Sequence, residues 1–490
     1  MAPKLMAVAG LALWTFAIPV VTGPPGAPGA PVAIAGEASA SVYWSAPSGA
    51  VSNYTVTASP GGASATVGGS SLSAVVGGLS DGTSYTFTVT ASNGSGPGPA
   101  SAASNAVVAG RGAYQGLLPA RILDTRLTAG TLGAGSSVNV QVLGQGGVPA
   151  SGVSAVMLNV TVTDTTAPSF LIVWPAGLPQ PLASNLNWTA GKTVPNLVEV
   201  AVGAGGQISI YNGFGTVDLV LDMEGYVGVP TSVPPPAGLY NPVVPNRVLD
   251  TRLGMGAPAA PVCAGQTISV KIAGTSGIPS TGVAAVTLNV TVTRTVVAPS
   301  SLTVYPTGSA RPLTSNLNFV PGQTIANGVI VKLGTGGSAG YVDFYDAAGH
   351  TDIVADVSGW FTDATTSTGG SRYVGLSPTR LLDTRTTQVV GPGTTHVLAV
   401  AGSGGVPLMG SAVPPAGVVL NITVTDTTAA SYLTLWPDGT GQPLASDLNW
   451  VAGDTLPNLI VVKLGANGSI DFYNGFGMTD VIVDVVGWYG

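Results

Sequence analysis

Apolar and polar residues alternate one by one along most of this chain, in short runs such as Tyr54 to Ala58, Tyr85 to Ala91 and Leu158 to Val162, each ended by Gly, Pro, Ser or Asn. A period of two places successive side chains on opposite faces of an extended strand, so each run predicts a strand with one face in a core. No stretch sustains a period of 3.6. Val, Thr, Ser and Gly also stand where a helical protein would carry Leu, Glu and Lys. The expected fold is all-β, built from tandem β-sandwich domains, with turns too frequent and strands too short for a solenoid.

The alternation is itself repeated. Arg-Ile-Leu-Asp-Thr-Arg at 121–126 returns as Arg-Val-Leu-Asp-Thr-Arg at 247–252 and Arg-Leu-Leu-Asp-Thr-Arg at 380–385. After each copy the same landmarks follow in order. A Gly-Val-Pro or Gly-Ile-Pro turn comes first, then an Asn inside a Val/Thr strand (Asn159, Asn289, Asn421), then a strand ending in aromatic-Pro. A Leu-Asn-aromatic triplet, an Asn before an apolar strand (Asn196, Asn327, Asn458) and a closing acidic strand complete the series. Three homologous sandwich repeats are therefore expected at 114–229, 240–363 and 373–490, with roughly eight to ten strands each. Units of this length are too long for single propeller blades. A smaller sandwich precedes them at 31–108, after a Pro/Gly linker at 23–30. Pro230 to Gly238 reads as a stiff connection and Thr362 to Gly370 as a flexible one, so the modules are expected in series, bending most at the second junction.

Residues 1–22 place Lys4 before an apolar run from Leu5 to Val21, the layout of a secretory signal or an uncleaved anchor, and the only expected contact with a membrane. Only 8% of the 490 residues are charged and the net charge is -7. With no basic cluster, nucleic acid is not an expected partner. The single cysteine, Cys263, permits no intrachain disulfide, and as a nucleophile it would need a base in a chain whose two histidines, His350 and His396, lie in different repeats.

Scarce charges placed regularly call for an explanation. Arg121, Asp124, Arg126, Asp218 and Asp222 recur as Arg247, Asp250, Arg252, Asp352 and Asp356, and as Arg380, Asp383, Arg385, Asp480 and Asp484. These make up fifteen of the 37 charged residues, counted as 15 Lys and Arg plus 22 Asp and Glu. Asp218 and Asp222 fall on one face of a strand of Val and Leu, where carboxylates need partners. The preferred reading is a structural clasp in which Arg121 and Arg126 pair with Asp124 and Asp222, joining the first and last strands of each repeat. If the clasp is buried, Arg126→Ala should cost roughly 3 to 5 kcal/mol. The same carboxylates could suit Ca²⁺, the one cofactor the sequence suggests, but nearby Arg favours the ion pair; no metal centre is assigned. Paired carboxylates could also serve glycoside hydrolysis, yet they occur three times and beside Arg, and no nucleophile-base set can be assembled, so no catalytic residue is expected.

The aromatics allow a second kind of site. Trp174, Trp188 and Tyr211 match Trp436, Trp450 and Tyr473, each near Asn or Asp, as on surfaces that stack and hydrogen-bond sugar rings. The favoured reading is that they fill the sandwich cores. In the second repeat Tyr305 and Phe319 replace the tryptophans and Asp-Ala-Ala-Gly at 346–349 replaces Asn-Gly-Phe-Gly, which makes this repeat the weakest candidate for a ligand.

Two resemblances rest on these residues. Ser41 to Pro47, Asn53 to Val56, Leu79 and Gly82 to Asn93 resemble a fibronectin type III domain, which implies that Trp44 is core, that Tyr85 makes the corner hydrogen bond, and that the module is a spacer or interaction unit without chemistry. The triplicated Arg-x-Leu-Asp-Thr-Arg frame resembles repeats of no assigned function in large exported proteins of Gram-positive bacteria, often beside such modules. Together the observations lead to an expectation of a non-catalytic, secreted or bacterial cell-surface protein that adheres or self-assembles into a layer, filament or appendage, alone or with other surface proteins. Two alternatives stay open: a carbohydrate-binding array for cell-wall or other polysaccharide, and a virion appendage protein of a phage.

Overall fold

A computed structural model describes residues 23–127, 130–228, 237–365 and 369–490. The expected signal or anchor at 1–22, residues 230–236 of the first inter-repeat linker and residues 366–368 of the second lie outside the described residues. Among the described residues every sheet pairing is antiparallel, as the alternating pattern requires.

The first domain packs a sheet of Val32–Gly36, Ser39–Tyr43 and Ser73–Gly77 against one of Ser64–Gly68, Asn53–Ser59, Ser84–Asn93 and Gly96–Ala100, with Val107–Val108 added beside Ser84–Asn93. Trp44, Tyr54 and Phe87 fill its core. The Tyr85 hydroxyl accepts the Ser80 backbone N–H at 3.0 Å, pinning the corner where the chain enters that long strand.

Each repeat is a two-sheet sandwich of one design. In the first, Ala113–Asp124, Asp218–Gly228, Val153–Thr163 and Val194–Ala201 lie side by side in one sheet. Ser136–Gln141, Gln207–Asn212, Ser169–Pro175 and Leu186–Trp188 form the other. Strands 1, 8, 3 and 6 thus share one sheet and strands 2, 7, 4 and 5 the other, which is a jelly roll. The second and third repeats have the same order, the second adding Val262–Cys263 beside His350–Thr362. Each has its own core. In the 1-8-3-6 sheet the central strand, Val153–Thr163, is buried on both faces from Ala155 to Val162. One face belongs to its own sandwich; the other meets its neighbours.

That second burial departs from the arrangement in series. The opening strand of each repeat packs on strand 6 and strand 4 of the next: Ala113–Asp124 on Ile325–Lys332 and Ser300–Pro306, Tyr240–Asp250 on Leu456–Lys463 and Ser431–Pro437, and Tyr373–Asp383 on Val194–Ala201 and Ser169–Pro175. The third repeat therefore returns to the first and the three close into a ring. A shared core of Tyr114, Met157, Leu197, Tyr240, Ile330, Phe361, Tyr373, Val461 and Tyr489 fills the axis. Alternation could not foresee this, because Val/Thr strands read as half-polar whether their Thr and Asn meet water or another repeat. The fibronectin-like domain leans on the first repeat through Val32 and Ile34, which cover Trp174 and Leu178.

Candidate functional site

The recurrent hexapeptide sits where the opening and closing strands pair, and a bulge decides its geometry. Arg121 is the register partner of Asp222 and Leu123 that of Leu221, so Ile122 is an extra residue on the opening strand. On a regular strand Arg121 and Asp124, three apart, would point to opposite faces; one bulged residue reverses the parity and brings them together. Arg121 then donates from Nε and Nη2 to the two carboxylate oxygens of Asp222 at 2.8 and 3.2 Å, and from Nη1 to Asp124 at 3.2 Å. Arg247 and Arg380 repeat this with Asp356 and Asp250, and with Asp484 and Asp383. Val248 and Leu381 are the corresponding bulged residues.

The other charged positions differ from the expected clasp. Arg126, Arg252 and Arg385 fork onto Asp124, Asp250 and Asp383 from outside, with donor distances of 2.6 to 2.9 Å, and none is bonded to the closing strand. The Arg126 side chain is 44% exposed whereas Asp222 is fully buried, so the cost expected for Arg126→Ala belongs to Arg121. Asp218, Asp352 and Asp480 are bound by the hydroxyls of Thr125, Thr251 and Thr384, the hexapeptide's fifth residue, at 2.7 Å. The Arg126 hydrogen bonds hold Asp124 below the usual carboxylate range. Burial pushes Asp222 up against the pull of Arg121. The carboxylates that suggested Ca²⁺ are thus engaged by Arg and Thr, and among the described residues no three His, Cys, Asp or Glu side chains gather as a metal site.

The clasp also faces the neighbouring repeat. Arg121, Asp222, Asn159 and Leu197 lie in register across the four strands of the 1-8-3-6 sheet, a row running from the rim toward the axis. Asp222 accepts a further hydrogen bond from the Ser315 backbone in the second repeat, and Asn159 Nδ2 donates to the Ser315 carbonyl at 2.6 Å. Asn327 Nδ2 donates to Asn159 Oδ1 at 2.9 Å and to the Asn316 carbonyl at 2.6 Å, while its Oδ1 accepts the Leu197 N–H at 3.1 Å. Asn458 and Asn289 close the second seam with the same bonds, and Asn196 and Asn421 the third. Each axial Asn is fully buried and fully bonded, so it locks the ring without a desolvation penalty left unmet. Gly328, on this face, admits the next repeat: a Cβ there would lie 2.4 Å from the Leu459 carbonyl oxygen.

Toward one end of the axis, Tyr114, Tyr240 and Tyr373 point their hydroxyls at the backbone carbonyls of Glu224, Ser358 and Val486. The ring of Tyr240 lies 5.0 Å from Phe361 and 4.4 Å from Tyr489. The threefold pattern is broken here by acids. Glu199 stands where the other repeats have Ile330 and Val461, and burial raises its carboxyl to about 8 against the Tyr373 and Tyr489 hydroxyls. Glu224 matches Ser358 and Val486, is likewise raised by burial, and accepts from Asn316 Nδ2 at 3.2 Å across the first seam. Asp447 matches Asn185 and Asn316, and burial raises it to about 7.

The aromatic candidates separate into two groups. Trp174, Trp188, Trp436 and Trp450 are at most 6% exposed, so their faces are not open to a sugar. Trp174, Trp188 and Trp436 are further held by indole N–H bonds to the carbonyls of Leu178, Ala167 and Thr440. Tyr211 and Tyr473 are half-buried on the outer sheets, each beside a ring of strand 4, Phe170 or Tyr432, which in turn meets the exposed Phe214 or Phe476 edge-on. In the second repeat Ser301 and Ala348 take the places of Phe170 and Phe214, and a cleft of about 690 Å³ opens over them against the first repeat. The repeat expected to be the weakest candidate for a ligand thus borders this cleft. One juxtaposition escaped the sequence altogether: Cys263 and His350 are cross-strand partners, although the thiol is directed at the Pro261 carbonyl at 3.9 Å.

Against known proteins, residues 26–107 match the family model of the fibronectin type III domain. Those residues form a fibronectin type III domain. No curated protein matches the chain. Among solved structures, the titin kinase with its flanking domains aligns at 17% identity over 25% of this chain and 31% of that one, with a TM-score of 0.16. The FN1-FN3 domains of chicken CNTN1 align at 15% identity over 68% of this chain and 99% of that one, with a TM-score of 0.17. A triple jelly roll protein of an archaeal virus aligns at 10% identity over 77% and 90%, with a TM-score of 0.15. No helix among the described residues is long and apolar enough to cross a membrane.

Proposed function

We propose that the chain is a non-catalytic extracellular structural or adhesive protein, a rigid head of three fused jelly rolls borne beside a fibronectin type III domain. The observation that carries this reading is the use of the recurrent polar residues. The three axial Asn and their strand-3 partners, with Asp222 and Asp356, bind one repeat to the next, so residues specific to the repeats serve assembly. A head held at three seams presents its loops in fixed relation, and loops displayed together gain avidity without new contacts. The apolar run from Leu5 to Val21 supports export to a bacterial surface, where self-association or other surface proteins would be partners. The jelly-roll strand order, one that viral capsid domains also use, favours a virion appendage as the second reading. Electron microscopy of native material with antibody against the head tests both. Labelling of a cell-surface layer or filament is the expected result, labelling of phage particles selects the second reading, and protein found only free in the medium overturns both.

A further inference from the structure

The cleft at the first seam is widened where one repeat lacks its rings. The first and third repeats carry Phe170 and Phe214, and Tyr432 and Phe476, at the corresponding positions, and the counterpart cleft beside Tyr432 at the second seam is smaller, about 420 Å³. In the second, Ser301 and Ala348 stand in their place, the cleft reaches about 690 Å³, and the first repeat supplies the opposite wall. Among the described residues every charged side chain lining the cleft is basic: Arg121, Arg126 and Lys192. That is three of the 15 Lys and Arg in a chain of net charge -7, so their gathering runs against the overall balance. Arg121 is spent on its two aspartates and Arg126 keeps one nitrogen, Nη1, outside its fork onto Asp124. Lys192 makes no ion pair among the described residues, and its counterparts in the other repeats are Gln323 and Asp454.

Polar uncharged groups complete the wall. Thr161 is 5% exposed and its hydroxyl has no hydrogen-bond partner, although it borders the cleft. At the third seam the corresponding hydroxyl, Thr423, is met by Asn187 Nδ2 at 3.2 Å. Asn187 also bonds Ser184 in its own repeat; at the first seam Asn318 keeps only the equivalent bond to Ser315 and leaves Thr161 unmet, as happens to Thr291 at the second seam. A buried hydroxyl without a partner costs free energy unless a ligand or water meets it. Asn318, Gln323 and Ser300 add donors and acceptors, and Val220, Pro299 and Val320 add apolar surface.

A ligand suited to such a wall is polyhydroxylated, has some apolar face, and carries a negative charge. We infer that the seam between the first and second repeats binds an acidic saccharide, with Lys192 and Arg126 Nη1 holding its anionic group and Thr161, Asn318 and Gln323 its hydroxyls. This deepens the adhesive side of the proposed function by giving it a ligand class. The closed ring does not depend on it.

Calorimetric titration of the full chain with trigalacturonate, glucose 6-phosphate and neutral maltotriose tests the assignment. A carboxylated ligand favours the first probe and a phosphorylated one the second, and either should bind at least about tenfold more tightly than maltotriose. Lys192→Gln and Thr161→Val should each weaken binding by about tenfold, the first also reducing its salt dependence. The double substitution Ser301→Phe with Ala348→Phe, which restores the rings of the other repeats, should abolish binding while leaving the melting temperature unchanged. Absence of binding by both acidic probes, equal binding of maltotriose, or binding that survives the refilled cleft would overturn the assignment. Electron microscopy of the native material would read the scaffold role independently.

Discussion

Replacing Asp447 by asparagine should make the protein more stable in mildly alkaline solution and change little in acid. The position already holds asparagine in the first two repeats, and the hydrogen bond it must make is the same in all three. Asn185 and Asn316 accept the backbone N–H of Val173 and Val304 through Oδ1 at 2.7 and 2.8 Å, and Asp447 accepts that of Leu435 at 2.7 Å. What differs is charge. Burial, with a smaller contribution from the nearby Asp356 carboxylate, raises Asp447 from 3.8 to about 7. At about 1.4 kcal/mol for each tenfold change in acidity, ionising it in the folded protein costs about 4 kcal/mol more than in the unfolded chain. Because the folded value lies above the unfolded one, the folded protein binds the extra proton between the two. Stability therefore falls as pH rises from about 4 to about 7 and is level beyond. Urea unfolding of both proteins across that range should show curves that agree near the acid end and separate by up to about 4 kcal/mol above neutrality, with Asp447→Asn the more stable. A difference independent of pH, or a less stable variant in alkali, would refute the reasoning.

Other substitutions probe the seams and the clasp. Asn327→Ala leaves the Leu197 N–H and Asn159 Oδ1 without partners in a buried seam and should cost about 3 kcal/mol or more, read from the guanidinium midpoint. Arg121→Ala strands the buried Asp222 carboxylate and should cost about 3 to 5 kcal/mol, whereas Arg126→Ala, at an exposed fork, should cost about 1 kcal/mol or less; equal losses in thermal melts would count against this division. Gly487→Ala would put a Cβ within 2.3 Å of the Tyr373 hydroxyl, whose ring is held against Tyr489, so a loss of about 1 to 3 kcal/mol should accompany a changed tyrosine near-ultraviolet spectrum.

The strands, the sandwich class and the fibronectin module were legible because each depends on local alternation and turn residues. The clasp was legible in part. Arg and Asp had to meet in so apolar a strand, but parity alone assigns Arg121 and Asp124 to opposite faces, and only the Ile122 bulge brings them together. The ring was not legible. Asn159, Asn196 and their counterparts announced themselves by recurrence, yet a recurrent amide reads alike whether it binds its own turn or another repeat. The tryptophans left core and sugar surface both open for a related reason: an indole that donates to a nearby carbonyl inside a core has the same sequence neighbours as one presented to a sugar. The cleft could have been found from Ser301 and Ala348, had small residues in place of rings been read as space gained.

Three repeats on one chain differ in kind from a homotrimer. Identical subunits would place Glu199, Lys192 and Asp447 at every seam or at none, giving three buried acids around the axis or three lysines around its rim. Covalent linkage removes that constraint and lets each seam drift separately: one retains the opened cleft, one carries the buried Asp447, and one is closed by Asn187 on Thr423. The tether thereby converts a symmetric architecture into three individually adjustable joints.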